Sequence, residues 1–163
     1  MIPYRIGHGY DAHRLTSERL LILGGVNIPF EKGLLGHSDA DVLTHAVMDA
    51  VLGAAGLDNI GVLFPDTSEE FRGISSLVLA EKVGALVREA GFEIGNIDAT
   101  VIAQRPKLAS FLPEMQKNLA GAFGCVPEDV RIKATTEEKM GFTGSEEGMA
   151  AHAVCIVARR EIK

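Results

Sequence analysis

Apolar and polar positions change period several times along the chain, and each change marks an element. Residues 4–13 read as a strand, and 20–28 as a hairpin turning at Gly24-Gly25, a dipeptide that accepts the left-handed backbone of a tight turn. Leu43, Ala46, Val47, Ala50, Val51 and Ala54 then recur at three- and four-residue intervals, the apolar stripe of a helix over about 40–55. Ser38 is the expected N-cap, with Asp41 three residues on. A second helix is predicted over 75–90 with Gly91 as its stop, and a third over 110–123 with Pro113 in its first turn. Between them, 92–104 alternates as a strand with Ile97, Ala99, Val101 and Ala103 on one face. Strands at 130–134 and 149–159 flank a Gly-rich loop from Gly141 to Gly148. Helices outside a sheet, with a hairpin among the strands, indicate an α+β fold.

Composition narrows the classes. A chain of 163 residues with 47% apolar content can bury one sizeable core, so residues 1–163 are expected to form a single domain. No run approaches the roughly 18 apolar residues of a membrane span. Met1-Ile-Pro-Tyr-Arg5 lacks a signal or transit pattern, so a soluble cytoplasmic protein is expected. A net charge of −6 speaks against a nucleic-acid surface, though not against an anionic small molecule met by local lysines. Cys125 and Cys155 lack a CxxC spacing and sit among apolar neighbours, the pattern of buried free thiols.

The chemistry begins at Asp11 and His13. Two apart in a predicted strand, they project to one side. With His45 from the first helix they make an Asp-His-His set, which suits zinc with a fourth position open to water or substrate. Asp41, His45 and Asp49, at i, i+4 and i+8, are expected to share a polar strip, which reads either as a site wall or as a solvated helix face. His37, beside the helix start, is placed for an anion or substrate contact, or is a turn residue. His8 has the opposite strand parity and His152 lies in an apolar alternating strand, so both read as structural. Farther on, Lys133-Ala-Thr-Thr-Glu-Glu-Lys139-Met-Gly-Phe-Thr-Gly144 offers hydroxyls, lysines, carboxylates and glycines after a strand. Such a run suits a phosphate or nucleotide cradle with a hard divalent cation on a carboxylate, or equally a polar connection whose threonines satisfy local backbone. Ile102-Ala-Gln-Arg-Pro-Lys107-Leu108 is a similar strand-end loop.

Gly7-His-Gly-Tyr-Asp-Ala-His13, Gly33-Leu-Leu-Gly-His-Ser-Asp-Ala-Asp-Val42 onward to His45, Phe64-Pro-Asp-Thr67, Ala103-Gln-Arg-Pro-Lys107 and the Lys133 to Gly144 run together resemble the 2-C-methyl-D-erythritol 2,4-cyclodiphosphate synthases of non-mevalonate isoprenoid synthesis. The resemblance covers nearly the whole chain. It implies a ferredoxin-like α+β subunit, with a mixed sheet and helices packed on one face. It further implies a homotrimer whose sites lie between subunits, one giving the zinc side and its neighbour the cytidine side. On that likeness Asp11, His13 and His45 hold zinc, and Glu138 holds a second divalent ion, magnesium or manganese. His37, Ser38 and Asp66 contact the methylerythritol phosphate part, with Asp58, Asn59 and Gly61 on the same wall. Ala103, Lys107, Leu108, Ala134, Thr135 and Thr136 frame the cytidine diphosphate. Thr136 fixes a phosphate oxygen, and Phe142 is placed on the substrate side. The implied reaction is that of a phosphorus-oxygen lyase: the 2-phosphate of 4-diphosphocytidyl-2-C-methyl-D-erythritol 2-phosphate attacks its own β-phosphorus and expels CMP.

Three residues depart from the family pattern. Asn59 stands where an aspartate is usual, which puts that carboxylate contact in doubt unless Asp58 substitutes. Glu137 replaces a threonine and is expected to face solvent. Ser145 replaces an arginine of the trimer's central channel, where Phe142 and Tyr10 are the candidate apolar residues; with Glu146 and Glu147 beside it, weak or no binding of a prenyl diphosphate is expected. Two rival functions stay open on the residues alone: another zinc-dependent phosphoesterase, which would give a hydrolysed product, and a non-catalytic trimeric binding module.

Overall fold

In the computed structural model, which describes residues 2–160, alternation in the first strand decides where the core lies. Strand β1 (Tyr4–Thr16) buries Gly7 and Gly9 and exposes Ile6, His8 and Tyr10. A hairpin of β2 (Leu21–Leu23) and β3 (Val26–Ile28) follows, with φ of 53° and 71° at Gly24 and Gly25. After the short β4 (Gly33–Leu34) come helix α1 (Val42–Ala55), the single turn α2 (Ile60–Leu63) and α3 (Ser76–Glu89). The chain continues through β5 (Phe92–Ile102), α4 (Leu112–Phe123), β6 (Val130–Thr135), the turn α5 (Gly141–Gly144) and β7 (Gly148–Arg159). Periodicity anticipated the long elements; β4, α2 and α5 are too short to show a period.

The main sheet runs β4-β1-β7-β5-β6. β7 is antiparallel to both β1 and β5, so those two run the same way on either side of it, the split β-α-β arrangement of ferredoxin-like sheets. β5 and β6, however, are adjacent and parallel, joined by the α4 crossover, a pair that an all-antiparallel ferredoxin-like sheet lacks. The result is an α+β fold on a mixed sheet.

Helix α1 is buried almost all round because it lies between β1, β7 and α3. Its close approach depends on two glycines. A Cβ at Gly7 would sit 1.8 Å from the Ala50 carbonyl oxygen, and one at Gly9 would sit 1.9 Å from that of Ala46. Leu43, Val47 and Val51 of α1, Ile97 and Val101 of β5 and Met149 of β7 are among the fully buried residues of the core, each large side chain contributing about 1.5–3 kcal/mol. Among the described residues, the opposite face of the sheet carries no helix. Tyr4, Ile6, Tyr10, Val154 and Ile156 are exposed there.

The cap of α1 is Asp41, not Ser38. The Asp41 carboxylate is fully buried and accepts from Thr44 N–H at 3.0 Å, Thr44 Oγ1–H at 2.7 Å, Gly24 N–H at 3.0 Å and Gly25 N–H at 2.8 Å. It therefore ties the hairpin to the helix start and does not belong to the expected polar strip. Asp49 leaves that strip as well, since its carboxylate accepts Ile60 N–H at 2.9 Å and so holds α2. Cys155 is buried and Cys125 only half-buried, both as free thiols. Among the described residues no helix is long and apolar enough to cross a membrane.

Candidate active site

Strand parity and the tight seat of α1 bring three predicted ligands together. Asp11 Oδ2 lies 2.9 Å from His13 Nε2 and 3.0 Å from His45 Nδ1, and those two nitrogens are 3.2 Å apart. The far nitrogen of each ring settles which atom carries the proton. His13 Nδ1 is 2.8 Å from the Leu35 carbonyl, which only accepts, so Nδ1 donates and Nε2 presents its lone pair. His45 Nε2 is 2.9 Å from Ser76 Oγ, whose own proton goes to Asp39 Oδ1, so Nε2 donates and Nδ1 faces Asp11 with its lone pair. Ser38 Oγ stands 3.2 Å from the same Nε2.

A carboxylate oxygen and two imidazole lone pairs at such range repel unless a cation lies among them. Without metal that cation is a proton. Burial alone would raise the Asp11 carboxyl, but hydrogen bonds and positive charge from His13 and His45 outweigh it and bring its pKa down to about 2. Burial alone would depress His13, yet the Asp11 bond and charge, with the Leu35 carbonyl, carry it above its ordinary value. The donor set fits a zinc ion: one oxygen and two imidazole nitrogens converge, and each ring is held from behind by a hydrogen-bond acceptor. Sequence reading missed that outer layer. Leu35 acts through its backbone, and Ser76 and Asp39 bear on His45 from 31 and 6 residues away with no periodic signal.

The triad opens into a cleft of about 370 Å³ that His37, Ser38, Gly61 and Asp66 also line. His37 Nε2–H donates to the Ser68 carbonyl at 2.8 Å, anchoring it to the segment after Asp66. Asp58 and Asn59 do not line the cleft. The Asn59 side chain caps α2, accepting Val62 N–H at 3.1 Å, a task for which an amide oxygen serves as well as a carboxylate.

A second cleft, of about 300 Å³, opens at the ends of the parallel strands β5 and β6 and is lined by Ala103, Lys107, Leu108, Ala134, Thr135 and Thr136 with Gln104. Crevices at the carboxyl ends of parallel strands are habitual ligand positions. Just beyond it Glu138 and Lys139 hold φ of 52° and 65°. Side chains uncommon in that region persist where neighbours over-determine them. Here Glu138 N–H donates to Thr136 Oγ1 at 3.2 Å, and Lys139 N–H to Gln104 Oε1 at 3.0 Å. Glu137 is exposed, as expected, but its carboxylate also takes the Thr143 hydroxyl. Phe142 lines neither large cleft; it borders a smaller hollow beside His13 with Arg14 and Glu147. Within one chain the linings of the two large clefts share no residue.

Residues 4–158 match the model of the YgbB family. The chain belongs to that family. A 2-C-methyl-D-erythritol 2,4-cyclodiphosphate synthase of Trichlorobacter lovleyi is 56% identical over 94% of this chain and 98% of its own. The solved bifunctional IspDF of Campylobacter jejuni superposes with a TM-score of 0.93 at 44% identity, over 97% of this chain and 43% of that longer one. IspF of Plasmodium falciparum in complex with CDP gives a TM-score of 0.85 at 32% identity, over 97% of both chains. As a YgbB-family member with relatives of that name, the chain is an enzyme of the lyase kind.

Proposed function

We propose that the chain cyclises 4-diphosphocytidyl-2-C-methyl-D-erythritol 2-phosphate to 2-C-methyl-D-erythritol 2,4-cyclodiphosphate with release of CMP. The observation that carries the reading is the pairing of an Asp-His-His donor set at the head of one cleft with a separate strand-end cleft beside Thr136 and Glu138. The names of the relatives and the CDP complex of the Plasmodium falciparum protein agree with it.

The chemistry asks little covalent work of the protein. An oxygen of the 2-phosphate bonds to the β-phosphorus, the bond from that phosphorus to the oxygen bridging to the α-phosphorus breaks, and its electron pair leaves with CMP. No side chain serves as nucleophile. What the chain must do is fold two anionic arms toward each other and hold the attack in line. His37, Ser38 and Asp66 border the triad cleft and orient the methylerythritol end. Ala103, Leu108, Ala134 and Thr135 frame the cytidine, while the Thr136 hydroxyl and the Lys107 charge face the diphosphate. Asp11, His13 and His45 would hold zinc and Glu138 a magnesium or manganese ion, and these cations, when bound, supply the charge that offsets repulsion between the phosphates.

Because the linings of the two clefts share no residue, the reading includes a homotrimer in which each site joins the triad cleft of one copy to the strand-end cleft of the next. The helix-free apolar face of the sheet supports association, since exposed Ile6, Tyr10, Val154 and Ile156 form the kind of surface that a partner covers. The test is incubation with the cytidyl substrate while phosphorus NMR follows the products. Equal amounts of CMP and cyclic diphosphate are expected. Linear hydrolysis products would refute cyclisation in favour of phosphoesterase action, and a monomer in sedimentation at working concentration would refute the shared site.

A further inference from the structure

His8 and His152 play no part in either cleft, yet they are the one histidine pair on the outer face of the sheet among the described residues. In the β1–β7 register Tyr10 stands opposite His152 and His8 opposite Val154, which makes the two histidines diagonal neighbours on the same face. His8 Nε2 and His152 Nδ1 are 3.1 Å apart. The rings are tilted by 35° with centroids 5.4 Å apart, and the Tyr10 ring lies 4.8 Å from that of His152.

We propose that His8 and His152 form a second metal site, on the opposite side of β1 from the triad, for a divalent first-row transition cation that prefers imidazole. The spacing supports it directly. A cation at roughly 2.0–2.1 Å from each nitrogen would see them at about 100°, between the square and tetrahedral angles. The pair is preorganised, because His8 and His152 sit on directly paired strands, His152 on the central β7 flanked by β1 and β5, and the contact with Tyr10 restrains the His152 ring. The chemistry is selective as well. Asp98, opposite Val154 on the next strand, is paired with Lys133, so the pair offers imidazole nitrogens without a free carboxylate from Asp98, a donor type that suits nickel, copper or zinc rather than magnesium or calcium. Strand parity keeps this site apart from the triad: residues 11 and 13 point toward α1, whereas 8 and 152 point to the bare face.

Two ligands leave further positions on the cation open. The surrounding face is the one through which association is proposed above, so, resting on that reading, the cation bridges copies and raises the thermal stability of the assembly. The experiment uses the full-length protein loaded with one zinc per chain, titrated with nickel by calorimetry and with copper followed by electron paramagnetic resonance. A further class of binding sites is expected, with nitrogen hyperfine structure from the copper-bound imidazoles and a higher melting temperature. Loss of a partner outside a metal's ligand shell already weakens binding about 10–100-fold, so His8→Gln or His152→Gln is expected to weaken the added cation at least that much, with zinc content and cyclisation unchanged. No bound-copper signal in the unmodified protein would overturn the proposal, as would nickel uptake by either variant equal to that of the unmodified chain. Turnover is measured on the same samples, so a failure of the catalytic reading shows itself as missing CMP and not as missing nickel.

Discussion

Removing the Asp41 carboxylate is expected to destabilise the protein more than any exposed cap could. Its two oxygens satisfy four donors: Thr44 N–H and Oγ1–H, Gly24 N–H and Gly25 N–H. In Asp41→Ala the cap on α1 is lost, at about 0.5–2 kcal/mol. Gly24 N–H and the Thr44 hydroxyl are left in the interior at about 1–3 kcal/mol each, while the half-buried Gly25 N–H can turn to water. Part of this is offset because the carboxylate is itself strained electrostatically: burial, then the neighbouring charge of Asp39, raises its pKa against the bonds from Thr44 and Gly25. The net expectation is about 3–5 kcal/mol, against a whole-domain stability of about 5–15 kcal/mol. At about 2–4 °C per kcal/mol for a chain of this size, melting should fall by about 10 °C. Asp41→Asn keeps the volume and one acceptor oxygen and should lose about half as much. Urea and thermal unfolding at one fixed protein concentration, necessary because association shifts apparent stability, measure both variants. A loss below about 1 kcal/mol in Asp41→Ala would refute the reasoning, since it would give the buried clamp no more weight than a solvated cap.

Four further outcomes are expected. In metal-free protein the Asp11–His13 pair should stabilise most between about pH 4 and 6.5: Asp11 has a depressed pKa, so its contribution is present above its ordinary 3.8 and lost as pH falls toward about 2, whereas His13 has a raised pKa, so its contribution is present below its ordinary 6.5 and lost as pH rises through the raised value. Urea unfolding of chelator-treated protein at pH 3, 5 and 8 checks this, and equal stability at pH 5 and 8 would contradict it; zinc should also release a proton on binding near pH 6, read from calorimetry in two buffers. Glu138→Gln should keep its zinc but turn over about 100-fold or more slowly, with Glu137→Gln, which retains an acceptor for the Thr143 hydroxyl, as the mild control. Gly9→Ala places a methyl 1.9 Å from the Ala46 carbonyl oxygen, so α1 must move off β1; a loss of at least about 1–3 kcal/mol together with weakened zinc binding is expected, and zinc affinity equal to that of the unmodified chain would show that the close approach does not position His45. Ser145→Arg should strengthen binding of a prenyl diphosphate in calorimetry while leaving ring closure intact; tight binding to the unmodified protein would refute that expectation, which already needs one amendment, because Glu146 is neutralised by Arg105.

What could be read before folding was whatever is written with a local period. The period of two in β1 put Asp11 and His13 on one side, the stripe of α1 placed His45 near its start, and Gly24-Gly25 marked the hairpin, because each depends only on neighbours within a few residues. The family pattern added the strand-end cleft around Lys107 and Thr136. Tertiary structure decided the rest. Ser38 and Asp41 are both competent caps, and only the hairpin's approach, with two N–H groups in need of an acceptor, selects Asp41. Ser76 steadies His45 across 31 residues, Asp39 reaches Ser76 across 37, and His8 meets His152 across 144, contacts set by strand register and helix seating and not by any stretch of sequence. Even the face on which the helices settle follows from two absent methyl groups, at Gly7 and Gly9, which let α1 close on one side of β1 and leave the other side bare.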